Sequence, residues 1–161
     1  MMLRPEWATP IRRGIALVEI AGGAWGLLRS TGRLWHQGMN MVTLSVVILL
    51  TILFLLLLIA GILLWMDRPG GRAMSFVVQA VQVPHIVTSP FGFLFGSPAS
   101  LSAGIQMDGT PRISALWHPS IAFALDSEVE FSWIGVNLIA ILLLVLLFWL
   151  DRQRAAGVHR A

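Results

Sequence analysis

The side chains that could ligate a metal or haem, or move a proton, are headed by four histidines: His36, His85, His118 and His159. With them stand three acids set close together, Asp126, Glu128 and Glu130. His36 lies in LWHQG, just ahead of a long apolar run, where an imidazole could bind haem or chlorophyll at a membrane interface. It is the candidate cofactor-binding residue, although ordinary hydrogen bonding at the headgroup level is the commoner use of such a histidine. His85 in VPHIV and His118 in LWHPS lack the one-turn spacing of a helical metal pair, so no metal site is assigned. The three acids could bind a cation or serve as acid and base. Helix capping accounts for them more simply. SEVE, residues 127–130, has the capping-box form, with Ser127 as cap and Glu130 reaching back.

Catalysis would also need a positioned nucleophile or metal. The chain has no Cys, which removes thiolate ligands, a Cys nucleophile and disulfides. It has no G-x-S-x-G motif and no glycine-rich phosphate loop. No catalytic residue is assigned, and the chain is expected not to be an enzyme. All 11 basic groups are Arg, scattered without interleaved stacking aromatics, so no nucleic-acid partner is expected.

The elements that must position these groups follow from two apolar runs. The 161-residue chain is 57% hydrophobic and 12% charged, with a mean hydropathy of +0.80. Soluble domains carry about 25% charged residues. Residues Met41–Met66 hold no charge. As a helix they extend roughly 39 Å, against a hydrocarbon core of about 30 Å. Ile134–Leu150 is also uncharged, and the capping box moves its expected start back to Glu128. The expected fold is an all-α membrane protein with two transmembrane helices, an N-terminal interfacial helix and an irregular outer loop. Its divisions are an N-terminal tail at 1–40, spans at 41–66 and 128–150, the loop at 67–127 and a C-terminal tail at 151–161.

Both runs close on one pattern, ILLWMDR at 62–68 and LLFWLDR at 146–152. Trp65 and Trp149 suit the headgroup level, and Asp-Arg then begins the aqueous phase. Two spans in succession run in opposite directions, so the boxes are expected on opposite membrane faces. Residues 1–40 hold five Arg and residues 151–161 hold three, whereas the long segment 67–131 holds only Arg68, Arg72 and Arg112. The positive-inside rule then gives a bacterial inner-membrane protein with both termini cytoplasmic and the loop periplasmic.

In the N-terminal tail, Ile11, Ile15, Val18, Trp25 and Leu28 recur at helical spacing, the pattern of a helix lying in the membrane surface. Trp25 and Trp35 serve as interface anchors beside Trp65 and Trp149. SFVVQAVQV, at 75–83, has the β-branched content of a short strand. The loop holds six Pro and six Gly, a poor basis for an independent core. Its apolar pieces, TSPFGFLFGSP and RISALWHPSIAFAL, are expected to cover a membrane or a partner. Asn137, Ser132, Ala140 and Gly61 are the candidate helix–helix contacts, Asn137 because an amide in hydrocarbon needs a partner. The uncharged runs 41–66 and 134–150 within these spans carry no Asp, Glu, Arg or His, which disfavours autonomous transport.

These features point to a non-catalytic accessory subunit of a larger inner-membrane complex. An energy-transducing assembly is expected, photosynthetic before respiratory. Its partners are then larger integral membrane subunits and the lipid bilayer. It has no cofactor of its own, and pigment or lipid touches it peripherally. The alternative is a membrane-tethered assembly or envelope factor that binds a transient partner through the periplasmic loop.

Overall fold

The computed structural model describes residues 7–34, 41–88, 91–96, 98–116, 120–125 and 132–158. Four helices are joined to a six-stranded antiparallel sheet. The helices are α1 (Ala8–Leu34), α2 (Met41–Trp65), α3 (Pro69–Gln82) and α4 (Leu138–Val158). The strands, all between α3 and α4, are β1 (Pro84–Val87), β2 (Phe91–Gly96), β3 (Ser100–Gln106), β4 (Pro111–Leu116), β5 (Ser120–Leu125) and β6 (Trp133–Asn137). Their order across the sheet is β4-β3-β6-β1-β2-β5. This overturns the all-α, two-span expectation. Among the described residues one helix, over Leu44–Trp65, is long and apolar enough to cross a membrane.

The second apolar run is divided between two kinds of structure. Trp133–Asn137 pairs with β1 on one side and β3 on the other, and the helix starts only at Leu138. Asn137 makes the switch. Its side-chain Oδ1 accepts the backbone N–H groups of Ile139 (3.1 Å) and Ala140 (3.4 Å), as an N-cap does. Its own backbone N–H donates to the Val83 carbonyl at 2.8 Å. Ser127 and Glu130, expected to cap this helix, lie outside the described residues.

Two likenesses in the sequence prove to be different structures. After Trp65 the chain makes a tight turn. The Arg68 N–H donates to the Leu63 carbonyl (2.9 Å), the Asp67 N–H donates to the Leu64 carbonyl (3.2 Å), and Asp67 has φ 54°. This is a Schellman stop with Asp where Gly is usual. Pro69 then opens α3, where its missing N–H costs nothing. The second box has no proline, and α4 runs on through Asp151 and Arg152. The β-branched stretch expected as a strand is helical, forming most of α3. Its buried positions, Gly71, Ser75, Val78, Gln79 and Gln82, make one helical stripe that packing selects over strand propensity.

α1 does not lie alone on a surface. It runs antiparallel along α2, with Gly26 against Phe54, Gly23 against Leu58, and Ala16 and Ile20 against Gly61. A Cβ at Gly23 would come within 2.6 Å of the Leu58 nitrogen, so the two backbones meet only because the side chain is absent. The buried face of α1 is Ile15, Ala16, Glu19, Gly22, Gly23, Gly26 and Ser30. Trp25 and Leu28, expected on one interfacial face with Ile15, point outward.

α3 folds back along α2, with Gly71 seated on the Leu63–Leu64 backbone. α4 packs on α3 and on α1, where Leu143, Leu147 and Leu150 join Ile15, Ala16 and Leu64. The start of α1, the α2–α3 turn and the end of α4 therefore meet at one end of the bundle. Arg12 pairs with Asp67 there, and Arg72 reaches both Asp67 (3.5 Å) and Asp151 (3.9 Å). The two Asp-Arg boxes lie together at this end, not on opposite faces.

Residues in register share a face of the sheet. Phe93 and Phe95 pack beneath the helices with Phe54, Leu57, Val78 and Leu27. Phe54 and Phe95 meet edge to face, with centroids 5.5 Å apart. The same face continues over β6, β3 and β4 through Ile86↔Ile134 and Ile134↔Ile105. There it is open, with Ile105, Ile113 and Ile134 exposed.

Asp67 tests the turn. Asp67→Ala keeps the left-handed strain and loses the ion pairs, whereas Asp67→Gly loses the ion pairs and relieves the strain. The alanine variant should unfold in detergent about 1–2 kcal/mol more easily than the glycine variant. Equal stabilities would show that the turn carries no such strain.

Candidate functional site

The described polar side chains with chemical potential fall into two buried centres, one in the bundle and one in the sheet. The bundle centre is Glu19 on α1 with Ser75 and Gln79 on α3. Ser75 and Gln79 are four residues apart, one above the other on the face of α3 that meets α1 and α2. Ser75 Oγ donates to Glu19 Oε2 at 2.7 Å, and Gln79 Nε2 donates to Glu19 Oε1 at 3.0 Å. All three residues are inaccessible or nearly so. Both carboxylate oxygens are held by neutral donors. The ion pairs of Arg12 and Arg72 go to Asp67 and Asp151 at the bundle end. A carboxyl buried without a cation partner is costly and belongs to a functional class more often than to a packing one.

The sheet centre is His85 on β1, which is fully buried. Its Nε2 lies 3.3 Å from the Phe95 carbonyl, and its Nδ1 lies 2.5 Å from Ser102 Oγ on β3. The carbonyl can only accept, so Nε2 carries the proton and Nδ1 accepts from the Ser102 hydroxyl. The indole of Trp133 meets the imidazole edge to face with centroids 6.3 Å apart, and the Arg112 guanidinium lies over that indole at 5.8 Å. Burial is the larger influence on His85 and lowers its pKa from the ordinary 6.5, while the hydrogen bond to Phe95 opposes the fall. A Ser–His pair suggests nucleophilic catalysis, but in a catalytic triad the base's second nitrogen faces a carboxylate. Here it faces a backbone carbonyl, and Ser102 is as enclosed as His85. The pair fastens β1 to β2 and β3 across the intervening strand.

The expected site residues are dispersed. His36, Trp35, His118, His159, Asp126, Glu128 and Glu130 lie outside the described residues. Asn137 ends β6 and caps α4, Ser132 precedes β6, Ala140 is buried in the first turn of α4, and Gly61 meets α1. Trp25 is exposed on α1. Trp65 is exposed at the end of α2, with the Arg13 guanidinium 5.4 Å from its ring, and Trp149 lies half-buried on α4. Among the described residues no three of His, Asp and Glu gather as a metal-holding group. Glu19 is not among the expected site residues, because a tail lying apart from the spans leaves it at the surface. Its signal was the small-residue face around it, Ala16, Gly22, Gly23 and Gly26, read with the Ser75–Gln79 pair.

His85 gives a pH test. The folded state favours neutral imidazole, so below pH 6.5 the unfolded chain binds more protons than the folded one. The stability contributed by neutral His85 is whole above that pH and is lost as pH falls. Against a His85→Gln variant, the parent's stability advantage should shrink between neutral pH and pH 5 in thermal melts. A pH-independent difference would sink the assignment.

Family models, curated proteins and solved structures give no match to this chain, so the two centres are interpreted from their own geometry.

Proposed function

We propose that this chain is a non-catalytic accessory subunit of a larger membrane assembly. Its helix bundle sits in the bilayer, and the open half of its sheet meets a neighbouring subunit. The observation that carries this reading is the apolar outer surface of the bundle. Glycine, serine, glutamine and a glutamate share the interior with buried Leu, Ile and Phe, while further large apolar side chains cover the outside. Leu55, Leu56, Ile59 and Ile62 on α2 are exposed, as are Leu142, Val145 and Phe148 on α4. Water does not favour so broad an apolar surface. Hydrocarbon does, and close-packed small residues with internal hydrogen bonds are how helices associate there.

Charge supports an orientation. Arg12, Arg13, Arg68, Arg72 and Arg152 gather at one end of the bundle. The positive-inside rule makes that end cytoplasmic and puts the sheet toward the other side. Arg68 and Arg72 then belong with Arg12 and Arg13 at this end, while Arg29, near the end of α1, lies toward the other. Beyond the bundle, the uncovered half of the sheet presents Leu101, Ile105, Ile113 and Ile134, an apolar face suited to a protein partner. Glu19 and His85 have both of their hydrogen-bonding ends held by neighbouring neutral groups, which favours a structural over a catalytic role.

Alkaline carbonate should leave the chain in the membrane pellet. Leu56→Arg with Ile59→Arg should reduce that recovery, since each Arg costs about 2.5–3.5 kcal/mol at a span centre. Recovery of the parent in the soluble fraction would overturn the bilayer reading. Purification from native membranes in mild detergent should bring down larger membrane subunits at fixed ratio, and Ile113→Asp should lose them. A lone chain would overturn the subunit reading and leave a tethered factor with a transient partner.

A further inference from the structure

We propose that Glu19, Ser75 and Gln79 form a proton-binding site inside the helix bundle, in which the Gln79 amide turns over as the proton enters or leaves. The proposal goes beyond the accessory role and does not depend on it. With Glu19 ionised, Ser75 Oγ and Gln79 Nε2 donate to its two oxygens, at 2.7 and 3.0 Å. Gln79 Oε1 is then buried without a hydrogen-bond partner among the described residues. An amide's oxygen and nitrogen exchange places by a half-turn about its last torsion. After that turn Gln79 Oε1 faces Glu19 Oε1 across the same distance, and a proton on Glu19 is donated to it. Ser75 still donates to Oε2. Each state leaves one end of the amide unpaired, oxygen in the first and nitrogen in the second. The site therefore accommodates either protonation state by one side-chain rotation, without moving a helix.

The surroundings supply no competing charge at the carboxyl. α2 contributes Gly61 and its uncharged neighbours, since residues 41–65 carry no ionisable group. α4 presents Leu143 and Leu147, with Asp151 beyond them at the bundle end. On α1 itself Arg12 and Arg13 lie roughly 10 Å down the axis, at 1.5 Å per residue. Arg72, on α3 one turn before Ser75, is turned toward Asp67 and Asp151. The ligand that fits two neutral hydrogen-bonding partners and one carboxyl in this enclosure is a proton.

The test uses the full chain in detergent or lipid vesicles. A hydrophobic carbodiimide modifies carboxyls that are protonated in apolar surroundings. Peptide mapping should find the adduct on Glu19, and the yield should fall as pH is raised. Infrared difference spectra across the same titration should show a carboxylic C=O band that Glu19→Gln abolishes and Asp67→Asn leaves unchanged. Absence of both adduct and band across the whole stable pH range would show a permanently ionised Glu19 and overturn the site. So would a band that persists in Glu19→Gln. The adduct is mapped on the parent chain, so it decides the question even where the variant does not fold.

Discussion

The backbone hydrogen bond from Asn137 to Val83 is the joint on which the architecture turns. Val83 is the single residue between α3 and β1, and Asn137 is the last residue of β6 before α4. One bond thus ties both passages between sheet and bundle. From it the β1–β6 ladder runs one way through Pro84↔Val136 and His85↔Gly135, and α4 runs the other way beneath its Asn137 cap. Without that joint α4 has no defined start, and the sheet has no fixed height against the helices. The exposed rows of β6 and α4 then follow one another along the chain, Ile134 and Val136 leading into Leu138 and Leu142. Over the uncharged run 134–150, strand and helix together cover roughly 33 Å.

Inside the bundle the main constraint is closeness. Gly23, Gly26, Gly61 and Gly71 each stand where a Cβ would strike a neighbouring helix. Their absent side chains allow three helices to approach at backbone distance, and dispersion and hydrogen bonding then act over short range. Glycine ordinarily weakens a helix by about 1 kcal/mol relative to alanine. The trade is favourable only where packing repays it, as it does along the α1–α2 seam.

Some of this was legible in the sequence and some was not, for identifiable reasons. α2 was legible because an uncharged run rich in Leu and Ile has few alternatives to a helix. The DRPG turn was visible as a boundary, but its likeness to the second box concealed a difference that Pro69 alone decides. The run at 134–150 misled because hydropathy does not distinguish a central strand from a helix. Gly135 and Asn137, two residues poorly suited to a helix interior, were the local signals of a break. α3 is concealed because Val77, Val78 and Val81 raise strand propensity, and because its helical periodicity runs the unexpected way, with the small and polar stripe of Gly71, Ser75 and Gln79 turned inward. The pairings β1–β6, β2–β5 and β3–β6 join segments far apart in the chain and were beyond any local pattern, whereas β1–β2 and β3–β4 are hairpins, the second turning at Asp108-Gly109. Glu19 is visible in the sequence as a charge but not as a buried one, because its burial depends on α3, whose Ser75 and Gln79 reach it only in the folded bundle.

α3 also connects the two polar centres. Its Ser75 and Gln79 hold Glu19, and its C-terminus leads within three residues of Gln82 to His85. In water a helix of 14 residues with so polar a buried stripe would gain little by docking. In hydrocarbon the comparison is different. Apolar side chains gain nothing by leaving lipid, so polar groups and close contact decide which helices associate and in what register. The composition of α3 suits that medium: Gly71 allows contact with α2, Ser75 and Gln79 recruit α1, and exposed Val77 faces outward. The same polar stripe that makes α3 an implausible core helix in a soluble protein makes it a specific one in a bilayer. The buried glutamate is then not an isolated defect but the group that sets how the three helices align.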